Sequence, residues 1–220
     1  MKQPEGTLSR YTTGARLNHW LNAMVLILLA LSGLALFHPS LYFLTGLFGG
    51  GVWARILHPW MGVVLIFTFA GLFFRFWRYN IWNPTDTQWL NRLRDVLAAR
   101  DENLPEVGRY NAGQKLVFWL MTIAIVALFV SGIALWESLF GDAFTIMQKR
   151  LAVVVHAGAA VIILAVFIIH VYAAIWVKGT IPAMMRGFVT GGWAWRHHRK
   201  WLREETAAKT NGGGRAAVKN

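Results

Sequence analysis

Apolar positions in this chain gather into four runs, at about 17–37, 52–74, 116–136 and 151–177. A helix rises about 1.5 Å per residue, so crossing a hydrocarbon core about 30 Å thick takes about 20 apolar residues. Every run reaches that length, and the pattern predicts an all-α integral membrane protein, a bundle of four transmembrane helices. The first run ends near "LFHPS", where Pro39 stops it. The second opens with "RILHPWMGV", and Pro59 there is read as part of a first helical turn, where a missing N–H is harmless.

Polar segments separate the runs unequally. The loop 75–115 is hydrophilic, yet Trp89, Leu90, Leu93, Val96 and Leu97 share one helical face. That spacing predicts an amphipathic helix, lying either on the inner membrane interface or against a partner. Residues 1–180 form the expected transmembrane domain, and 181–220 an interfacial, basic and disordered tail. Its "GGWAWRHHRKWLREE" mixes Trp with cations, and "TNGGGRAAVKN" is expected to lack order. The N-terminal "MKQPEGTLSRYTTGAR" has no apolar h-region and does not read as a cleavable signal.

The runs also repeat. "RLNHWLNAMVLILLALSGLALF" from Arg16 matches "KLVFWLMTIAIVALFVSGIALW" from Lys115 at an offset of 99, pairing Trp20 with Trp119 and Ser32-Gly33 with Ser131-Gly132. His58 matches His156 at an offset of 98. Two helical hairpins of one design are predicted. The match fails at His19, which aligns with Phe118, and at His170, which aligns with Leu72.

Charge adds the orientation. The net charge is +12, but 19 of the 22 Lys and Arg lie in the N-terminal segment, the loop 75–115 and the tail. Cations at the ends of apolar runs set topology, so no nucleic-acid partner is expected, and both termini and the long loop are placed in the cytoplasm. The chain has no cysteine. Disulfides, Cys-ligated iron–sulfur clusters and covalent C-x-x-C-H haem attachment are thereby excluded.

Four histidines sit within or at the ends of the runs. Positions 156 and 170 differ by fourteen residues, 40° short of four full turns and about 21 Å along one helix. They project from nearly one face at two depths. Equal depth pairs His58 with His156 near the outer surface and His19 with His170 near the inner one. Zinc would want three or four ligands. Two neutral imidazoles from facing helices suit the two axial positions of a haem iron, which leaves none for oxygen and points to electron transfer. Arg55, Lys149 and Arg150 are candidate propionate partners outside, Arg16 and Lys178 inside. His38, His197 and His198 are poorer candidates for ligation. A haem-free anchor or transporter is the competing class, although no intramembrane carboxylate and no broken-helix site is evident.

Over residues 10–205 the chain resembles the cytochrome b (gamma) subunits of membrane-bound respiratory formate dehydrogenases. "HW" at His19, "ALSG" at 30–33, "RILHP" at 55–59, "GRYNAGQK" at 108–115, the pair His156 and His170, "IWVKGT" at 175–180 and "RHHRKWLRE" at 196–204 carry the resemblance. It implies two non-covalent haems b, each held by two of His19, His58, His156 and His170, whose iron is the bound metal. It also implies a quinone site (menaquinone or ubiquinone) beside the inner haem, at Asn111, Gly113 and Gln114. Read alone, Asn111 is equally a helix N-cap. The implied partners are an iron–sulfur beta subunit and a catalytic alpha subunit with molybdenum or tungsten, in a higher-order oligomer of the heterotrimer in the bacterial inner membrane. This chain would then be the quinone-reducing subunit, with no formate-oxidising site of its own. Cytochrome b subunits of hydrogenases and related oxidoreductases share the plan and remain the alternative donor class.

Overall fold

The computed structural model describes residues 5–217. In chain order the elements are β1 (Thr7–Ser9), α1 (Thr13–Phe37), a 3-10 helix (Pro39–Phe48), α2 (Gly51–Phe76), α3 (Pro84–Asn91), α4 (Leu93–Leu97), α5 (Ala112–Leu135), α6 (Glu137–Phe140), α7 (Ile146–Trp176), α8 (Thr180–Arg186), β2 (Phe188–Thr190), α9 (Gly191–His197) and α10 (Arg199–Ala217). Short 3-10 turns fill some of the connections. Among the described residues, four helical stretches are long and apolar enough to cross a membrane: Thr13–Phe37, Gly51–Asn80, Ala112–Leu135 and Ile146–Trp176. The chain is an all-α membrane protein with four candidate spans. It divides into two compact units, one of Thr13–Phe76 with Trp119–Ala173, the other of Met1–Thr12 with Trp77–Phe118 and Ala174–Asn220.

The first unit is the helical bundle. Its helices are apolar on all sides, so residue size decides which face turns inward. In α1 the buried positions are Ala15, Asn22, Val25, Ser32 and Ala35, spaced by seven and three, while Leu17, Met24 and Phe37 point outward. In α7 Ala152, Ala159, Ile163 and Val166 are buried, and Val154, Val161 and Ile168 point outward. Lipid tails are as apolar as leucine, so helices associate through small residues and hydrogen bonds. Val25, Leu65, Phe69, Ala124, Ile125 and Ile163 make the bundle's core. Between α1 and α2, Asn18 Nδ2 donates to the Thr68 carbonyl at 3.0 Å, and Thr68 Oγ1 donates to Asn22 Oδ1 at 3.3 Å.

The turn after α1 forms as Pro39 predicts. The backbone N–H of Ser40 donates to His38 Nδ1 at 3.2 Å, so this imidazole caps the 3-10 helix. Gly49 and Gly50, at φ +87° and +102°, then reverse the chain in a conformation that side chains rarely adopt. Pro59 is not in a first turn: α2 begins at Gly51, and the proline stands inside it. Its missing N–H leaves the Arg55 carbonyl without the usual intrahelical donor, a defect tolerated in membrane helices.

The second unit is built from three separate stretches of chain. β1 and β2 pair antiparallel, with Thr7 opposite Thr190 and Ser9 opposite Phe188. Leu8, Ala183, Val189, Ala194 and Trp201 form one apolar cluster, and Trp89, Val107 and Ala112 another. Asn83 and Asp86 close a capping box at the start of α3, with Pro84 in the first turn. The expected single amphipathic helix is instead two, broken at Arg92 (φ −100°, ψ 20°). Trp89 turns inward and Leu93 and Leu97 stay exposed, so the five apolar positions do not share one face. The tail segment expected to lack order is helical as far as Ala217, and residues 218–220 lie outside the described residues.

Candidate functional site

The bundle brings the four span histidines together as two pairs. His58 on α2 faces His156 on α7 with ring centroids 6.3 Å apart. His19 on α1 faces His170 on α7 at 6.2 Å. These are the partners expected from helix rise and loop charge. An imidazole nitrogen binds a transition metal at about 2.0 Å. Two imidazoles on opposite sides of one metal, each ring centre about 1.2 Å behind its nitrogen, have centroids roughly 6.4 Å apart. Both observed gaps match that span. Among the described residues no cluster of three or more His, Cys, Asp or Glu could hold a metal ion, so neither pair belongs to a closed zinc-type centre.

The environments of the pairs differ. Ser32 Oγ lies 2.7 Å from His58 Nδ1, and Ser131 Oγ lies 3.0 Å from His156 Nδ1. The glycine following each serine touches the same ring: a Cβ on Gly33 would stand 3.3 Å from His58 Cε1, and one on Gly132 3.4 Å from His156 Cε1. Ser-Gly at an offset of 99 and His at an offset of 98 are thus one structural device used twice. The repeat was legible, but its link to the histidines was not, because helix pairing had to be known first. His19 has no such support: its Nδ1 is buried without a hydrogen-bond partner among the described residues, and its ring meets Trp20 edge-on at 5.4 Å.

Of the candidate propionate partners, Lys149 is held by Glu137 at 2.9 Å, while Arg55 lines a cleft with His38 and Tyr42.

In the second unit, Asn111 and Gln114 form a capping box at the start of α5. Gln114 N–H donates to Asn111 Oδ1, and Asn111 N–H donates to Gln114 Oε1, both at 3.0 Å. The box occupies both side-chain oxygens and leaves both amide NH2 groups as donors, so the cap and a carbonyl-binding role are compatible. A Cβ on Gly113 would stand 3.2 Å from Trp89, so packing alone already favours glycine there. Lys115 follows, almost wholly buried, with Nζ donating to Asp86 Oδ2 at 2.7 Å and to the Ile81 carbonyl at 3.0 Å.

The loop before Asn111 is clasped from two sides. Arg10 Nη2 donates to the Arg109 carbonyl, and Arg109 Nη2 donates to the Arg10 carbonyl. The Arg10 guanidinium lies over the Trp201 ring, 4.5 Å from its centroid. His198 Nδ1 donates to the Gly108 carbonyl at 2.8 Å. Burial first, and the Arg10 charge second, lower the His198 pKa to about 3. This histidine is therefore a neutral structural group. Neither Arg10 nor His198 stood out in the sequence, where both looked like topology cations or tail residues.

Residues 10–187 match the family model of prokaryotic cytochrome b561. The chain belongs to the prokaryotic cytochrome b561 family. It is 45% identical to the formate dehydrogenase cytochrome b556(fdo) subunit of Escherichia coli strain K12 over 90% of this chain and 93% of that one. The nitrate-inducible cytochrome b556(Fdn) subunit of the same strain is 38% identical, over 84% of this chain and 86% of its own length. The formate dehydrogenase cytochrome b556 subunit of Haemophilus influenzae is 35% identical, over 91% and 84%. A cytochrome b of this family is a haem b membrane protein that serves electron transfer. The residues present fit such a group: two imidazole pairs at metal-bridging separation, inside an apolar bundle, with one buried ring nitrogen lacking a protein partner.

Proposed function

We propose that this chain is the quinone-reducing membrane subunit of a formate dehydrogenase, holding one haem b between His58 and His156 and a second between His19 and His170. The single observation that carries this reading is the pair of imidazole gaps, 6.3 and 6.2 Å. When bound, the two haems would supply one-electron centres, held by His156 and His170, which stand about 21 Å apart along α7 by helix rise. The protein's part is to hold and seclude. α7 supplies one ligand to each centre, and α1 and α2 supply the others. The apolar helix faces exclude water. Asn111 Nδ2 and Gln114 Nε2 donate to a quinone carbonyl while their oxygens keep the helix capped. Quinol formation takes two electrons and two protons, and with the loop 75–115 facing the cytoplasm those protons come from that side. Each elementary charge so separated stores about 2.3 kcal/mol per 100 mV.

Both termini are cytoplasmic in this reading, and the membrane is the bacterial inner membrane. The chain has no cysteine and no formate-oxidising site, so an iron–sulfur subunit and a molybdenum- or tungsten-dependent catalytic subunit complete the enzyme, in an oligomer of heterotrimers. The names of the three relatives favour formate over hydrogen as the electron source, and identifying the co-purifying large subunit tests that choice. A His19→Ala variant in the purified complex is expected to lower the haem-to-protein ratio from two to one. An unchanged ratio refutes the pairing, and a wild-type reduced-minus-oxidised spectrum without b-type bands hands the chain to the haem-free anchor class.

A further inference from the structure

The two histidine pairs are supported unequally, and hydroxyl chemistry makes the difference definite. Ser32 Oγ stands 2.9 Å from the Leu28 carbonyl, and Ser131 Oγ stands 2.6 Å from the Ala127 carbonyl. A carbonyl oxygen only accepts, and two oxygens this close need a proton between them. The one hydroxyl proton of each serine is therefore committed to its own helix. Toward the imidazole each Oγ can only accept, so His58 Nδ1 and His156 Nδ1 must carry the proton. Each Nε2 is left with a free lone pair. The chain Nδ1–H to Oγ–H to carbonyl is also cooperative, each bond polarising the next. In the other pair, His19 Nδ1 is buried with no acceptor.

We infer that Ser32 and Ser131 are positioning residues that fix the metal-binding tautomer of His58 and His156 and raise their basicity, giving the centre held by this pair a lower reduction potential than the one held by His19 and His170. The inference rests on the bis-histidine haem reading above. Its physical cause is that a hydrogen bond donated by the far ring nitrogen makes an imidazole a stronger donor to its metal, which favours the oxidised ion. Gly33 and Gly132 belong to the same device, since a side chain at either would press on the ring that the serine orients. The repeat therefore encodes a downhill direction: the pair with a serine behind each ring gives up electrons more readily than the pair in which His19 lacks an acceptor.

The test is a spectroelectrochemical titration of the purified complex carrying Ser32→Ala, Ser131→Ala or both, with Ser131→Thr as the conservative control. Haem-to-protein ratio is measured on the same samples. Removing outer partners of metal ligands changes metal affinity tenfold or more. A tenfold loss of preference for the oxidised ion corresponds to about 59 mV for a one-electron couple. Each alanine variant should keep two haems and move the lower-potential step upward by about that amount, leaving the higher step in place, while Ser131→Thr titrates as wild type. Two haems retained with neither step moved, or with only the higher step moved, overturns the inference. A wild type that binds fewer than two haems overturns the bis-histidine reading instead.

Discussion

Substituting Asp86 tests how the first turn of α5 is held. Asp86 and Lys115 are 1% and 3% exposed, and their side chains meet at 2.7 Å. Removing one member of a buried pair leaves the other charge uncompensated, at a cost of about 3–5 kcal/mol. Asp86 Oδ2 also accepts from Asn83 N–H at 2.8 Å, completing the capping box of α3. Losing such a cap costs about 1 kcal/mol more. Asp86→Ala should therefore destabilise the unit formed by residues 77–118 and its neighbours by about 4–6 kcal/mol. Asp86→Asn, which keeps an oxygen for the cap but removes the charge, should fall about 1 kcal/mol short of that. Replacing both partners, as in Asp86→Leu with Lys115→Met, should recover much of the loss, because a buried pair is often matched by apolar groups of similar volume. Hydrogen exchange of the 81–116 peptides in detergent reads this directly as a local opening free energy. Each 1.4 kcal/mol is tenfold, so the alanine variant should exchange about a thousandfold faster, or more, in this segment. Exchange within about fivefold of wild type for Asp86→Ala would refute the reasoning, as would a double variant no better than the single.

Two further predictions use the neighbouring loop. Asn111→Asp keeps the oxygen that caps α5 but loses the NH2 group. It should retain wild-type exchange protection and raise the KM for quinone, whereas Asn111→Ala should lose about 1 kcal/mol of helix-start stability as well; equal quinone kinetics for Asn111→Asp and wild type argue against a donor role. His198 should make its unit acid-sensitive. Its value is 6.5 in the ordinary state and about 3 when folded, so between those values the unfolded chain binds the extra proton. Stability is then unaffected above about pH 6.5 and falls by up to about 1.4 kcal/mol per pH unit below it. Proteolysis of the tail measured from pH 7 to 4 should show this slope, and His198→Phe should flatten it.

The spans were legible because 20 or more apolar residues admit few other readings, and the histidine pairing followed from helix rise and loop charge. The Ser-Gly repeat was visible as well, but its hydrogen bonds to His58 and His156 depend on how α1 meets α2 and how α5 meets α7. Pro59 falls inside α2 because the helix starts earlier than the apolar pattern suggests, at Gly51, where Gly49 and Gly50 supply the reversal. The break at Arg92 was hidden because periodicity shows which residues could share a face, not that Trp89 would be drawn into a cluster with Val107 and Ala112. The pairing of Thr7–Ser9 with Phe188–Thr190 joins segments about 180 residues apart, and neither carries a strong strand signal.

That ladder bears on how the protein is made. Leu8 packs in a cluster with Ala183, Val189, Ala194 and Trp201, and Arg10 lies over Trp201. A nascent chain can thread all four spans into the bilayer while residues 7–10 still wait for partners the ribosome has yet to deliver. The clasp on Gly108–Arg109, next to Asn111, therefore closes only after His198 and Trp201 have been made, so a product truncated before them would insert yet leave that loop unfastened.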